Sequence, residues 1–345
     1  MKEHIIKESG QEVLDLISDY VQLNQPNNLV LSTSTVFNIE YYPEKKCTSI
    51  TNLRKLNDVR FINKFLEAVN SRLIDRGLFI GCIESMEQRK ERIFKKYRPV
   101  IRQIYYYVLD FIVKRVFPKF SLTKGLYFFL THGRNRVVSR AEILGRLYSC
   151  GFEVLDERNI NNLFYVVARK IKEPAYDNDP TYGFLIRLKR IGKGGKLINV
   201  LKFRTMHPYS EYLQDYIFRK HHLQEGGKFH NDFRITTLGR FMRKFWLDEL
   251  PMLINLLRGD CKLVGVRPLS PQYFNLYTPE LRKQRIRYKP GLIPPFYADM
   301  PKTLEEIMAS EQHYLDQYEK NPFMTDLKYL FRALYNIIFK VKRSA

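Results

Sequence analysis

The first 170 residues alternate short apolar runs with segments of helical periodicity, and this alternation restricts that half of the chain to the α/β classes. The apolar runs at residues 28–32 and 78–83 are typical of strands, and Gly77 marks a turn before the second run. Between them, residues 59–73 carry apolar side chains at the spacing of one helical face. We therefore expect strands alternating with helices.

A second unit of helix and strand is predicted further along the chain. Ser139 stands where a helix N-cap is expected, and Glu142 follows three residues later, which is the pattern of a capping box. The helix is predicted over residues 143–148, with Gly151 as its C-terminal stop and a strand at residues 152–155.

These segments, over about residues 28–172, resemble the C-terminal half of a class I methyltransferase, which implies a Rossmann-like domain. The glycine-rich turn whose backbone approaches the cofactor in such domains is missing from residues 1–30, where Gly10 stands alone. We interpret residues 1–172 as a degenerate methyltransferase-like domain without a cofactor, or as an unrelated α/β domain. Residues 173–181, which are polar and contain two prolines, are the predicted linker to a second domain at residues 182–345.

The chain is strongly basic, and this charge implies an anionic partner. Its formal net charge is +22, and its 58 Lys and Arg residues are accompanied by 23 Tyr and 24 Phe. Nucleic acid, anionic lipid and phosphorylated substrates are all compatible with this composition. The four cysteines are far apart in the sequence and the N-terminus has no signal-type apolar segment, so a reducing, cytosolic setting is expected.

Residues 99–130 mix aromatic side chains with cations and form the most distinctive segment of the first half. A helix and turn lying in a lipid headgroup layer would have this composition, and so would a core helix whose cations extend to solvent. No run in the sequence reaches the roughly 18 apolar residues of a membrane span. If a membrane is involved, we expect contact at its surface.

Four ordered motifs occupy the second half of the chain. They are a basic glycine-rich stretch at 190–196 leading to Lys-Phe-Arg-Thr-Met at 202–206, Asp-Phe-Arg-Ile-Thr-Thr-Leu-Gly at 232–239, Arg-Lys-Phe-Trp-Leu-Asp-Glu-Leu-Pro at 243–251, and Val-Gly-Val-Arg-Pro at 264–268 followed by Lys-Pro-Gly at 289–291. Over about residues 182–340 their order and spacing resemble the bacterial sugar transferases, the monotopic polyprenyl-phosphate phosphoglycosyl transferases. The resemblance implies a helix-rich α+β sugar-transferase domain.

The resemblance also implies a reaction and the residues that perform it. Members of this family transfer a sugar phosphate from a nucleoside-diphosphate sugar, here expected to be a UDP-sugar, to polyprenyl phosphate, through an aspartyl intermediate and with Mg²⁺. Carried onto this sequence, it implies Asp248 as nucleophile and metal ligand, Glu249 as its neighbour, and Arg243 and Arg267 as phosphate ligands. The product would start a glycan of the exopolysaccharide, O-antigen or capsule type at the cytoplasmic face of the bacterial inner membrane.

The residue types fit this chemistry without the family. A carboxylate attacks phosphorus only when the phosphate charge is neutralised, which guanidinium groups or a divalent metal do well. Lys202 and Arg204 alternate along a predicted strand and share one face, which either meets the substrate or is a solvated edge. We add them and Lys289 to the predicted phosphate-binding residues.

The glycine-rich stretch at 192–195 has two interpretations. Its spacing is not that of a P-loop, so we expect a basic hairpin turn between strands at 184–188 and 197–203 rather than a loop that binds phosphate.

Pro251 is expected to shape the backbone at the acidic pair. It disfavours helix at Leu250, so the helix through residues 241–246 should break near Asp248 and Glu249. A second helix beginning at Pro251 would present unpaired N–H groups beside the pair. An acidic pair that merely caps this second helix is the structural alternative.

Two departures from the family pattern are visible. The family has a long apolar re-entrant helix before its first motif, and this chain has polar sequence there. The Lys-Pro-Gly motif continues as Leu-Ile-Pro-Pro-Phe-Tyr-Ala-Asp at 292–299, where the family has Thr-Gly. A non-catalytic scaffold or regulator of polysaccharide synthesis is therefore a competing function, and a nucleic-acid-binding protein is a third. The apolar and basic residues at 327–339 predict a helix that either lies on a membrane or packs on the core.

Overall fold

The computed structural model describes residues 1–176, 183–214, 216–217 and 232–339. Its contacts divide the chain into two compact units, Met1–Tyr182 with His207–Asp215 and Gly183–Met206 with Tyr216–Ala345. We call them the first and the second unit. Residues 177–181 of the predicted linker lie outside the described part of the chain.

The first unit contains a mixed five-stranded sheet in the order β1-β2-β3-β5-β4. The strands are β1 (Asn28–Leu31), β2 (Cys47–Asn52), β3 (Leu73–Ile83), β4 (Phe152–Ile160) and β5 (Leu163–Lys170). The first three are parallel to one another, whereas β5 pairs antiparallel with both β3 and β4. The predicted α/β class is thus confirmed, while the Rossmann-like and methyltransferase-like interpretation stays a prediction.

The described residues of the first unit also form eight α-helices. They are α1 (Lys2–Ser9), α2 (Gln11–Tyr20), α3 (Phe37–Glu40), α4 (Ile62–Arg72), α5 (Met86–Lys96), α6 (Pro99–Ile104), α7 (Ser121–Thr131) and α8 (Arg140–Ser149). Short 3₁₀ turns lie at Leu56–Asp58, Phe117–Lys119 and Ser210–Leu213, and a π-helix at Tyr105–Val116. Ile17 of α2 packs in one cluster with Ile80 and Cys82 of β3. Phe79, which faces the opposite side of the sheet, contacts the ring of Phe152 at 6.0 Å between centroids.

The predicted start and stop signals of α8 are confirmed. The Ser139 hydroxyl accepts the Glu142 N–H at 3.1 Å, and Gly151 follows the helix with φ of 83°. Only one side of the expected capping box is present among the described contacts, because the Glu142 carboxylate pairs with Arg146 instead.

The second unit has two small sheets and seven helices among its described residues. Strands β6 (Leu185–Ile191) and β7 (Leu197–Phe203) form an antiparallel hairpin, and β8 (Lys262–Val264) pairs parallel with β9 (Gly291–Ile293). The helices are α9 (Thr237–Lys244), α10 (Met252–Leu257), α11 (Pro271–Phe274), α12 (Pro279–Arg285), α13 (Phe296–Asp299), α14 (Leu304–Lys320) and α15 (Pro322–Phe339). Further 3₁₀ turns lie at Lys193–Gly195 and Leu247–Glu249.

The C-terminal helix α15 packs on the core of the second unit through one face. Tyr329 and Ala333 are buried in a cluster with Val264, Tyr297 and Tyr314. The core-packing alternative is therefore confirmed for that face, and the opposite face stays exposed. No helix in the described residues is long and apolar enough to cross a bilayer.

Candidate active site

The hairpin β6–β7 carries the first cation of the site. The chain turns through Lys193–Gly195, where Gly194 and Gly195 have φ of 70° and 74°, a conformation that favours glycine. The Gly194 N–H donates to the Ile286 carbonyl at 2.6 Å. The hairpin interpretation is thus confirmed, and Lys202 lies near the end of β7.

Helix α9 is fixed against the segment that follows β7. The Thr236 hydroxyl caps the helix by accepting the Gly239 N–H at 2.8 Å, and the Thr236 N–H donates to the Thr205 carbonyl at 2.9 Å. A Cβ at Gly239 would lie 2.0 Å from that same carbonyl oxygen, so only glycine allows this approach. In the last turn of the helix, Arg243 Nε donates to Thr205 Oγ1 at 3.0 Å. The guanidinium of Arg243 is therefore held in place at one end.

The helix breaks at Trp246, five residues before Pro251. Trp246 has a left-handed backbone with φ of 63°, which is unfavourable for so bulky a residue and costs about 1–3 kcal/mol. Its indole N–H donates to the Tyr297 hydroxyl at 2.9 Å, and the two rings meet edge to face. These contacts hold the reversal that starts the 3₁₀ turn Leu247–Glu249, which contains the acidic pair.

The two acids of the pair have different partners. Lys202 Nζ donates to Glu249 Oε1 at 2.5 Å, so Glu249 is engaged in an ion pair. Asp248 Oδ1 is buried and has no hydrogen-bond donor among the described residues. Asp248 is thus the acid of the pair that has an unpaired oxygen, and its role as nucleophile stays a prediction.

The surroundings of Asp248 act on its pKa in opposite directions. Burial raises the pKa of the Asp248 carboxyl, and the charge of Glu249 raises it further. Lys202 and Arg243 oppose this shift. Burial also lowers the pKa of Lys202 and of Arg243, because both cations have lost much of their hydration.

One buried amide joins helix α10, which follows the acidic pair in the chain, to strand β7. Asn255 in α10 is fully buried, and its Oδ1 accepts the Leu201 N–H at 2.9 Å while its Nδ2 donates to the Asn199 carbonyl at 2.8 Å. Met252 packs against Val200 in the same region. The contacts between helix α10 and strand β7 therefore keep Glu249 and Lys202 close together.

A cavity of about 360 Å³ is lined by Glu249 of the acidic pair. The other charged residues that line it are Arg190, Lys202, Arg267 and Glu311, and its apolar part is lined by Tyr273, Tyr277, Phe296 and others. Burial lowers the pKa of Arg190, and the charge of Arg267 lowers it further.

The charges around this cavity do not balance. Arg190, Lys202, Arg243 and Arg267 supply four positive charges near the acidic pair, which supplies two negative charges. The carboxylate of Glu311, which also lines the cavity, is offset by its ion pair with Arg285, so an excess of two positive charges remains. The charge of Arg267 acts on each of the other three cations, so the group forms one electrostatic cluster. A dianion would offset this excess.

Two of the predicted phosphate-binding residues lie elsewhere. Arg204 Nε donates to the Gly183 carbonyl at 2.8 Å, so this guanidinium has a structural contact. Lys289 lies near Gly259 and Cys261 and is not among the cavity-lining residues. Of the five predicted phosphate-binding residues, the cavity lining includes Lys202 and Arg267, whereas Arg243 bonds to Thr205 and its charge acts on Asp248.

The expected N–H groups at the start of the second helix are also occupied. The Leu253 N–H donates to the Leu250 carbonyl at 3.0 Å, and the Ile254 N–H donates to the Pro251 carbonyl at 3.1 Å. The first turn of α10 tightens in this way because a helix of six residues satisfies its own first donors with short-range bonds. We therefore withdraw the phosphate-binding role predicted for this helix start.

Several residues of the site escaped the sequence-based prediction. Asn255 is the single polar residue in Met-Leu-Ile-Asn-Leu-Leu, a signal that was present in the sequence. Thr205 and Arg190 lie inside motifs but had no assigned role. Arg285, whose Nη2 donates to the Arg267 carbonyl at 2.6 Å, comes from a helix outside every motif.

The donor set fits a divalent cation only in part. No group of three or more His, Cys, Asp or Glu side chains able to hold a metal occurs in the described ranges. Mg²⁺, however, is commonly bound through one or two carboxylates together with substrate phosphates. The unsatisfied oxygen of Asp248 suits such shared binding, and Glu249 is already paired.

A buried carboxylate with an unpaired oxygen, set among cations that exceed the acids by two, suits group transfer involving phosphate. The family model described as bacterial sugar transferase matches residues 164–340, slightly more than half of the 345 residues. The chain belongs to the bacterial sugar transferase family, as its motifs indicated.

Relatives match about a third of the chain. The galactosyl transferase CpsE of Streptococcus agalactiae is 37% identical over 30% of this chain and 23% of its own length. The undecaprenyl-phosphate galactose phosphotransferase of Salmonella typhimurium is 38% identical over 30% of this chain and 23% of its own. The UDP-glucose:undecaprenyl-phosphate glucose-1-phosphate transferase of Caulobacter vibrioides is 36% identical over 31% and 38%. The chain thus spans less than half the length of these relatives.

Proposed function

We propose that this protein transfers a sugar phosphate from a nucleoside-diphosphate sugar to polyprenyl phosphate, with Asp248 as nucleophile. The observation that carries the proposal is the buried, unpaired Oδ1 of Asp248, which adjoins the cavity-lining Glu249 in the chain and is acted on by the charges of Lys202 and Arg243. A diphosphate diester carries two negative charges and matches the excess of two positive charges at the site. Two of the aligned relatives are named as transferases that act on undecaprenyl phosphate, which supports the acceptor.

In the first step, the Asp248 carboxylate attacks the β-phosphorus of the donor. A bond forms between Asp248 Oδ1 and phosphorus, the bond from that phosphorus to the bridging oxygen breaks, and a nucleoside monophosphate leaves with the electron pair. Lys202, Arg243 and Arg267 offset the charge that develops on the phosphate oxygens and on the leaving group. The donor is expected to be a UDP-sugar.

In the second step, a phosphate oxygen of the polyprenyl acceptor attacks the phosphorus of the aspartyl phosphosugar. The bond to Asp248 breaks, so the carboxylate is regenerated and a polyprenyl diphosphate sugar is formed. Glu249 remains paired with Lys202 through both steps and keeps that cation beside the reacting phosphate. The product would start a glycan of the exopolysaccharide, O-antigen or capsule type.

Mg²⁺ is the expected cofactor. It would contact Asp248 together with the donor phosphates, and its chemistry there would be neutralisation of phosphate charge. The polyprenyl acceptor implies that the protein acts at a membrane surface, on the cytoplasmic face of the bacterial inner membrane.

Release of nucleoside monophosphate tests the reaction. The protein, in lipid nanodiscs with Mg²⁺ and polyprenyl phosphate, is given a panel of UDP-sugars. We expect release by the wild type and none by Asp248→Asn, whereas Asp75→Asn, at an exposed carboxyl of β3, should behave like the wild type. Absence of release across the panel would favour the scaffold function, and equal release by Asp248→Asn would exclude this nucleophile.

Isotope exchange tests the covalent step separately. If an aspartyl intermediate forms, labelled nucleoside monophosphate should be incorporated into the nucleotide sugar when no lipid acceptor is present. Transfer without exchange would indicate direct attack by the acceptor. Mass spectrometry of Asp248-containing peptides provides the second measurement of the adduct.

A further inference from the structure

Most of the exposed large apolar side chains of the first unit lie in one segment. We call residues 99–131 the aromatic hairpin; it comprises α6, the π-helix, the 3₁₀ turn and α7. Of the 21 large apolar side chains that are exposed in the described part of the first unit, 14 lie between Val100 and Leu130. Leu122 is 92% exposed and Phe129 74% exposed. Exposed apolar side chains concentrated in one segment in this way mark an interaction site.

The hairpin is firmly attached by its opposite face. Asp110 accepts hydrogen bonds from Arg89 Nη2 at 2.6 Å and from Arg89 Nε at 3.0 Å, and both side chains are buried. Arg115 lies five residues after Asp110 in the π-helix, and its Nη2 is 3.6 Å from Asp110 Oδ2. The Arg115 guanidinium also lies over the Tyr106 ring at 4.6 Å. The exposed face therefore belongs to an ordered element.

The aromatic hairpin and the residues that flank it are strongly basic. Residues 92–141 contain 12 Lys and Arg residues, and their only acid is Asp110. Because Asp110 is buried in its ion pair with Arg89, no carboxylate of this segment faces solvent. The exposed cations include Arg98 and Lys124. An occupant of this surface has to accept apolar side chains and many positive charges together.

We propose that the aromatic hairpin docks on the surface of an anionic phospholipid bilayer, with its exposed apolar side chains at the level of the acyl boundary and its cations at the headgroups. Aromatic rings, aliphatic side chains and cations without acids are the composition of segments that lie in that interface. Anionic lipid attracts each nearby Lys or Arg by about 1 kcal/mol.

The dimensions favour docking over insertion. The 11 residues of α7 extend about 16 Å, roughly half of the hydrocarbon thickness of about 30 Å. The inference rests on the proposed function in one respect: the lipid acceptor proposed there places the protein at a membrane. It does not depend on the transfer chemistry, because vesicle binding is measured without substrates.

Vesicle flotation of the full-length protein tests the proposal. We expect the wild type and Asp248→Asn to float with phosphatidylcholine vesicles that contain phosphatidylglycerol, and to bind more weakly to pure phosphatidylcholine and at high ionic strength. The variant Leu122→Glu/Phe129→Glu should lose at least about tenfold in binding, and Lys124→Glu should lose about tenfold. Phe37→Glu changes an equally exposed aromatic residue outside the hairpin and should bind as the wild type does.

A fluorescent probe locates the contact. The four native cysteines are buried, so a dye that senses polarity can be attached to Leu122→Cys, with Phe37→Cys as the control. Vesicles should shift the emission of the Leu122→Cys dye to shorter wavelength and leave the control unchanged. This measurement does not require the charged variants to fold.

Two outcomes would overturn the proposal. One is vesicle binding that the Leu122→Glu/Phe129→Glu variant retains. The other is a wild type that does not float but forms a dimer, seen by analytical ultracentrifugation, which the same variant dissociates; a second copy would then cover the hairpin. If the Leu122→Glu/Phe129→Glu variant no longer floats but still catalyses isotope exchange in detergent, the docking element is confirmed and the transfer chemistry is intact.

Discussion

The charges around Asp248 decide at which pH this residue is ionised and able to react. Burial and Glu249 favour its protonated form, while Lys202 and Arg243 favour the carboxylate that attacks phosphorus. The pH dependence of transfer should report this balance, because the reaction requires the ionised form.

Replacing Glu249 by Gln should move the acid limb of kcat/KM to lower pH. Glu249 raises the pKa of Asp248, so removing its charge lowers that pKa, and the reactive carboxylate persists further into acid. Lys202, freed from its ion pair, acts in the same direction. The measurement is the pH profile of nucleoside monophosphate release. An acid limb that stays in place or moves to higher pH contradicts the assignment, whatever happens to the maximal rate.

Arg243→Lys should reduce kcat/KM although it keeps the charge. The substitution removes the Nε that donates to Thr205 and the planar fork that binds phosphate oxygens. Loss of one charge-assisted hydrogen bond corresponds to about 1.5–3 kcal/mol, or about 10- to 150-fold in rate. Arg240→Lys, at an exposed position one turn earlier in α9, is the control and should retain wild-type activity. Wild-type activity in Arg243→Lys would mean that Arg243 acts only through its charge.

At the scale of elements, the position of Arg267 depends on an ion pair between two helices. Arg285 at the end of α12 forms a buried ion pair with Glu311 in α14, and both side chains are about 5% exposed. Arg285 also donates to the Arg267 carbonyl, and burial lowers its pKa to about 10. The two helices thus hold a loop that carries a proposed phosphate ligand.

Glu311→Ala should lower the free energy of unfolding by about 3–5 kcal/mol, because it leaves Arg285 buried without its counter-ion. The double variant Arg285→Met/Glu311→Leu should recover most of this loss. It should not recover activity, since the bond to the Arg267 carbonyl is missing. Urea unfolding and kcat/KM are the two measurements. Glu319→Ala, which breaks an exposed pair with Arg287, should cost less than about 1 kcal/mol.

Sequence patterns predicted these elements better than the contacts between them. The hairpin β6–β7, the cap at Ser139 and the acidic pair follow from local signals that one stretch of chain contains. The break at Trp246 does not, because its strained backbone is held by Tyr297, 51 residues away. Arg285 and Asn255 were missed for the same reason: their roles lie in partners that are distant in the sequence.

At the scale of the whole molecule, the chain crosses from one unit to the other and returns. Residues 207–215 belong to the first unit, although the segments on both sides belong to the second. Tyr209 and Leu213 are buried, and Arg146 of α8 lies over the Tyr209 ring at 4.3 Å. A single boundary near residues 173–181 had been predicted, and local composition gives no sign of this crossing.

Two helical glycines test the crossing. A Cβ at Gly145 would lie 2.3 Å from the Tyr209 carbonyl oxygen, so Gly145→Ala should destabilise the protein by about 1–3 kcal/mol. Gly125 in α7 has nothing within 4 Å of such a Cβ, so Gly125→Ala should instead stabilise it by about 0.5–1 kcal/mol. Urea unfolding followed by circular dichroism measures both. Equal effects of the two substitutions would show that Tyr209 does not pack on α8.

The crossing also limits where the chain can be divided and which chimeras of it can fold. A cut or a gene fusion near residue 180 separates the polypeptide into two pieces, but the piece that carries Asp248 keeps the nine residues His207–Asp215 that complete the core of the other. Exchange of the N-terminal half for that of another protein would therefore leave Tyr209 and Leu213 without their packing partners. The two units are expected to be inherited together. A working chimera would need two further junctions, one on each side of residues 207–215, so that this segment is exchanged together with the first unit.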